Sequence, residues 1–185
     1  MKLLIVSLLM HKGSLYMNLE TLKRVAPEQL REQTVTAVLL ALGSNYQAEY
    51  YLSHVRKNLQ GLGNIQLSTA FQNPDFTATL EHPKPDYTNQ CVYLSLTMPI
   101  ILQQLQQTFK GFESDCDRQR LAELQTAIKK VTMDIDILLI KLSNNKNSLS
   151  NKNISRWVVM ADRYPFKAHE KAGIEELIEG SGTDC

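Results

Sequence analysis

The chain predicts an α+β fold with the element order β-α-β-β-α-β, and three observations carry that expectation. Val35 to Leu42 is a continuous apolar run, the pattern of a buried strand. Two further segments, Ile65–Phe71 and Tyr87–Met98, alternate with period two and read as strands with one buried face. Between and after these, apolar residues recur at helical spacing over 47–62 and again from Pro99 to Phe112.

Length and composition bound the rest. The 185 residues suffice for one domain with a substantial core. Twenty basic and 19 acidic residues leave a formal net charge of +1, so neither nucleic acid nor an anionic membrane is an expected partner. Cys91, Cys116 and Cys185 are odd in number and widely spaced, offering neither a disulfide framework nor zinc-ligand spacing. A reducing cytoplasm is the expected compartment, and a monomer the expected state. Lys2 followed by Leu3 to Met10 mimics a signal h-region, but it is too short to span a bilayer and lacks a small-residue cleavage site. Residues 1–34 are read as a partly helical N-terminal extension, with Met17 an alternative start, and 35–185 as the domain.

Taken in order, residues 18–33 read as helix divided at Pro27, which suits the first turn of a second short helix. The apolar strand from Val35 closes at Gly43-Ser44-Asn45. Ala48, Tyr51, Leu52, Val55, Leu59 and Leu62 stripe one helix face, which Gly61 and Gly63 terminate. The strand around Ile65–Phe71 leads into a loop over 72–86 containing three prolines. In the next strand Val92, Leu94, Leu96 and Met98 share one face; Tyr87, Asn89, Cys91 and Tyr93 share the other. Pro99 opens a helix striped by Leu102, Leu105, Phe109 and Phe112. The order is that of a ferredoxin-like sandwich, a mainly antiparallel sheet with helices on one face and the other open to ligand. Residues 143–153 form a polar insertion, Trp157–Met160 one more strand, and 169–179 a last helix.

The closing strand of the core unit, Thr132 to Leu139, carries the chemistry. Asp134 and Asp136 fall on one face while Met133, Ile135, Ile137 and Leu139 point to the other. Aspartate is disfavoured in strands, and two like charges on one face repel. A divalent cation between them offsets that cost, and such hard oxygen ligands suit Mg²⁺.

Three segments in register, Val38-Leu39-Leu40-Ala41-Leu42-Gly43-Ser44-Asn45, Pro85-Asp86-Tyr87-Thr88-Asn89 and Thr132 to Leu139, resemble the 6-hydroxymethyl-7,8-dihydropterin pyrophosphokinases of folate synthesis. The resemblance implies a ferredoxin-like fold and transfer of pyrophosphate from ATP to the pterin hydroxymethyl oxygen, releasing AMP. It implies that Asp134 and Asp136 hold two Mg²⁺ ions, that Tyr87 stacks on the pterin and that Asn89 bonds its polar edge. Asn73 and Pro74 fall in the family's pterin-contacting loop, with Asn73 in place of the usual threonine. Glu113, Arg118 and Arg120 match a glutamate followed by two arginines that serve nucleotide binding and the catalytic loop, given one extra helical turn before Glu113.

The chain departs from that pattern elsewhere. Val131 stands where the family has a loop arginine, and Lys129 and Lys130 are the nearby cations; Lys130 is assigned the catalytic role. In the C-terminal part the family's P-H-P histidine falls on Pro165, its basic residue on Lys171 and its capping aromatic on Gly173. Another register pairs Arg163 with the basic residue and Phe166 with the aromatic. The expected site therefore comprises Arg118, Arg120 and Lys130 as catalytic residues and Asn73, Pro74, Tyr87, Asn89 and Phe166 for the pterin. Glu113 and Lys171 serve the nucleotide, and Asp134 and Asp136 the metal.

Three competing readings are a non-catalytic homologue that binds pterin or nucleotide, an RNA-binding module and a small-molecule-sensing domain of the same topology. The second lacks the aromatic signature of RNA-binding sheets and would set Asp134 and Asp136 against the phosphates. The third leaves Asn89 and the paired aspartates unexplained. No P-loop or Rossmann glycine motif is present.

Overall fold

The computed structural model describes residues 18–75, 78–120, 129–143 and 157–180. Among these the elements run β1 (Lys23–Val25), α1 (Pro27–Leu30), β2 (Thr34–Ser44), α2 (Ala48–Gln60), β3 (Gly63–Asn73) and β4 (Tyr87–Ile101). They continue through α3 (Leu102–Asp115), β5 (Asp134–Leu142), β6 (Trp157–Met160), a 3-10 turn (Ala161–Arg163) and α4 (Ala168–Gly180). The strands form one six-stranded sheet in the order β1-β6-β5-β2-β4-β3. Every neighbouring pair is antiparallel except β1 with β6. This is an α+β architecture with β2 at its centre.

Apolar residues pack on both sheet faces. Leu52, Val55 and Leu59 of α2 and Leu102, Leu105 and Phe109 of α3 cover one face, against Val38, Leu40, Leu42, Val92 and Leu94. The opposite face, expected to stay open, is partly covered: Ile174 and Leu177 of α4 pack on Leu39, Cys91 and Trp157. Helices therefore lie on both faces, because α4 carries an apolar stripe of its own to bury. Gly173 sits at the closest approach, where a Cβ would meet Cys91 Sγ at 2.7 Å. Any larger residue would lift α4 off β4. The open area shrinks to the end of the sheet beyond the first turn of α4.

Three local expectations change, each for a backbone reason. Lys23–Val25 is a strand rather than helix, because it pairs in register with Val158–Met160 and extends the sheet edge. Pro99 lies within β4 instead of opening a helix. The β2–β4 register shifts between Val35 and Ala37, and the irregularity takes in Pro99, which has no N–H to offer. The next helix starts at Leu102, whose N–H donates to Gln33 O, while Gln103 N–H donates to Arg31 O. In β5 a second register shift against Leu39 and Leu40 inserts one residue. Ile135 and Ile137 therefore face α2 and α3, whereas Leu138 and Leu139 both join the α4 side. The insertion comes after Asp136 and leaves the alternation of the two aspartates intact.

The polar stretch 144–153, the N-terminal 1–17 and the connection 121–128 lie outside the described residues. Among the described residues no helix is long and apolar enough to cross a membrane.

Candidate active site

The sheet register builds the site before any side chain is considered. Gly43 on β2 pairs with Asn89 on one side and with Asp134 on the other; Ala41 pairs with Cys91 and Asp136. Asn89 is opposite Phe71, and Tyr87 opposite Asn73. At ~4.8 Å per strand, Asn89 and Asp134 stand about 10 Å apart across the floor. Gly43 and Ala41 leave that floor low, and a Cβ on Gly43 would come within 3.0 Å of Asn89 Oδ1.

A cavity of about 420 Å³ opens there. It is lined by Asn73, Pro74, Tyr87 and Asn89 at one end and by Asp134 and Asp136 at the other. Six of the residues expected from sequence thus share one cavity, although they span more than 60 positions of chain. Asp75, Lys129, Lys167, His169 and Glu170 also line it.

The turn Gly43-Ser44-Asn45 holds the far side. Val131 N–H donates to Asn45 Oδ1 at 2.7 Å, Asn45 N–H donates to Val131 O at 3.0 Å, and Asn45 Nδ2 donates to Lys129 O at 2.8 Å. Ser44 Oγ adds a bond to Val131 O. Val131 is buried in this clasp.

Asp134 belongs to a network rooted in α3. Glu113 is only 5% exposed, and its carboxylate accepts from Ile135 N–H at 2.9 Å and from Arg120 Nη2 through both oxygens, at 2.9 and 2.8 Å. Arg120 Nη2 also reaches Asp134 at 3.1 Å. Arg118 Nη1 donates to Met133 O at 2.7 Å and lies 3.4 Å from Asp134. The shared proton-bonding with Glu113 holds the Arg120 guanidinium above its usual range. The sequence pattern of one glutamate and two arginines converges on the first aspartate.

Asp136 is served from the C-terminal side. Arg163 Nη2 approaches it at 2.6 Å and Glu170 at 3.4 Å. Glu170 is buried and accepts from Lys167 N–H at 2.8 Å, the reach-back contact of a capping box at the start of α4. Burial, and then repulsion from Asp134, push the Asp136 carboxyl up to about 6 despite Arg163.

Three expected residues are not brought in. Lys130 Nζ lies 3.6 Å over the Tyr46 ring, and its neighbour Lys129 lines the cavity instead. Lys171 is exposed and 3.9 Å from Glu175; Ile174 and Leu177 turn toward the sheet, which leaves Lys171 on the outer flank of α4. Phe166 packs edge-on against Tyr164 in the cluster beneath α4 and is not among the cavity-lining residues. Lys167 and Glu170 went unread because lysine is an unusual opening residue for a capping box, so K-x-x-E gives little signal. Arg163 was visible only as one of two registers.

A second cavity of about 350 Å³ lies on the α3 side of β5 and contains Glu113, Arg120, Asp136 and Arg163. Asp136 lines both cavities. The first offers an aromatic ring and an amide; the second gathers cations around a buried carboxylate.

A search of curated proteins returned no match to this chain. A family model for 7,8-dihydro-6-hydroxymethylpterin-pyrophosphokinase matches residues 39–160, which include the G-S-N turn, Tyr87, Asn89 and both aspartates. The chain belongs to this family, the diphosphokinases of folate biosynthesis.

Proposed function

We propose that the chain transfers pyrophosphate from ATP to 6-hydroxymethyl-7,8-dihydropterin and releases AMP. The observation that carries this reading is the sharing of Asp136 by two cavities of different chemistry. Pterin fits the first, with Tyr87 stacking on the ring and Asn89 bonding its edge, and Asn73 and Pro74 closing one side. The nucleotide fits the second, with its polyphosphate directed to the carboxylates at the junction. The finer architecture is read as ferredoxin-like, since β2-α2-β3-β4-α3-β5 gives the strand order β5-β2-β4-β3.

In the reaction the hydroxymethyl oxygen attacks the β-phosphorus and gives up its proton to solvent, the bond from that phosphorus to the oxygen bridging the α-phosphate breaks, and AMP carries off the electron pair. Asp134 and Asp136 would hold Mg²⁺. The donor set fits, being two carboxylates on one sheet face with no soft ligand among them. Among the described residues there is no group of three or more potential metal-binding side chains. Mg²⁺ with a polyphosphate needs only one or two carboxylates, since phosphates and water fill its shell. When bound, Mg²⁺ would neutralise phosphate charge and align the groups. Arg120 and Arg163, which line the second cavity, now neutralise the aspartates and are placed to turn to phosphate oxygens once these carboxylates are engaged, while the buried Arg118 holds Met133 O and Asp134 in position. Lys129 and Lys167 bring further positive charge to the pterin side. Asn45 fixes the backbone carrying Lys129.

A non-catalytic binding protein is the second reading, favoured by the burial of Val131 where the family has its loop arginine. AMP formation from ATP and Mg²⁺, with and without the pterin, separates the two. Pterin-dependent AMP that disappears in Asp134→Asn supports the enzyme; ligand binding without AMP supports the binding protein.

A further inference from the structure

We propose that the segment preceding the family-matched region supplies, through Arg31, a contact to the nucleoside of the bound nucleotide. The inference rests on the assignment of the second cavity to ATP. Pro27 and Arg31, from α1 and its end, line that cavity, yet both precede residue 39, where the family match begins.

The segment is built in as a wall. Leu30 is 3% exposed in the core beneath α3. Gln33 N–H closes the turn onto Leu30 O at 2.9 Å, and Arg31 O accepts from Gln103 N–H at 3.1 Å, satisfying one of the first free donors of α3. Upstream, β1 pairs with β6, and the Arg24 guanidinium lies 3.5 Å over the Tyr164 ring, beside the Arg163 turn. Arg31 is thus presented from backbone tied to both α3 and β6, while its own side chain is exposed.

The direction of the cavity decides which part of the nucleotide Arg31 meets. Gln106, Lys110 and Glu113 line it from successive turns of α3, so it extends about 10 Å along that helix at ~1.5 Å per residue. Glu113 marks the end next to Asp136, where the polyphosphate must reach the junction. Arg31, beside the start of α3, is at the other end, which leaves it the base. A guanidinium is planar, weakly hydrated and well suited to stack on a purine.

The test compares wild type, Arg31→Ala and Arg31→Lys as full chains, measuring binding of a non-hydrolysable α,β-methylene ATP with Mg²⁺ and of inorganic tripolyphosphate. Alanine keeps the carbonyl that caps α3. Arg31→Ala should weaken the ATP analogue about five- to twentyfold and leave tripolyphosphate, which has no base, unchanged. Arg31→Lys should recover only part of the loss, because it retains charge without the plane. Unchanged analogue binding in Arg31→Ala, an equal loss for tripolyphosphate or full recovery by lysine would each overturn the inference. If wild type binds neither ligand, the assignment of the cavity to ATP falls, and this inference with it.

Discussion

The two aspartates are two positions apart on one strand, yet they live in different surroundings. Asp134 faces Arg118 and Arg120, both inside the family-matched region and backed by buried Glu113 from α3. Asp136 faces Arg163, backed by buried Glu170 from α4, and both of these lie beyond residue 160. Each carboxylate thus has an arginine held by a buried glutamate, but the two supports come from opposite sheet faces. In the second arrangement burial, and then repulsion from Asp134, push the Asp136 carboxyl up to about 6. A like-charged pair of this kind is costly in the free protein and well matched to a cation, so function and stability pull against each other at Asp136.

The sharpest way to break the comparison is to neutralise each aspartate. Asp134→Asn and Asp136→Asn should each cut Mg²⁺-dependent AMP formation at least about a hundredfold with the fold retained; activity kept in both would remove the metal assignment. Stability should separate them. In metal-free protein the Asp136 pKa of about 6 lies above its unfolded value of 3.8, so the fold penalises the charged form. That group's contribution is most favourable below about pH 4 and is lost as pH rises through about 6. Asp136→Asn should therefore stabilise the metal-free protein at pH 7 by up to about 3 kcal/mol, and flatten its stability between pH 4 and 7. Denaturant unfolding in chelator tests this, and a wild-type profile already flat over that range would refute it.

Smaller effects sharpen the division between the cavities. Tyr87→Ala should weaken pterin binding about tenfold with little change for the ATP analogue, as calorimetry on each ligand would reveal. Equal losses would argue against stacking. Lys129→Ala should lower turnover several-fold, whereas Lys130→Ala, which loses only its seat on Tyr46, should stay within about twofold of wild type. A reversal of that ranking in steady-state assays would restore Lys130 to the site.

Much of this site was legible in the linear chain, for a local reason. Strand residues alternate between faces, so the paired aspartates, and Tyr87 with Asn89, could be assigned to common faces without knowing the fold. The one-glutamate, two-arginine pattern was readable only through the family resemblance, since nothing in local periodicity tells that Glu113, Arg118 and Arg120 meet at Asp134. What failed depended on packing between distant segments. Lys130 and Lys129 are equivalent as sequence, and only the clasp from Ser44 and Asn45 distinguishes them. The register of residues 163–173 had no periodic signal to set it. Contact between α4 and the sheet fixes where these side chains lie: Gly173 abuts Cys91, and one turn earlier Glu170 points at Arg163.

By itself the sequence determined the core order of strands and helices, the shared faces of Asp134 with Asp136 and of Tyr87 with Asn89, and the family, because each follows from local periodicity or contiguous motifs. The tertiary structure alone decided that α4 covers part of the second face, that the N-terminal segment joins the sheet and lines a cavity, and that Arg163 and Glu170 serve Asp136. Those outcomes turn on which apolar stripe finds a free face and which charge finds a partner across the sheet. Burial and ion pairing act through space, and linear order does not encode the distances on which they depend.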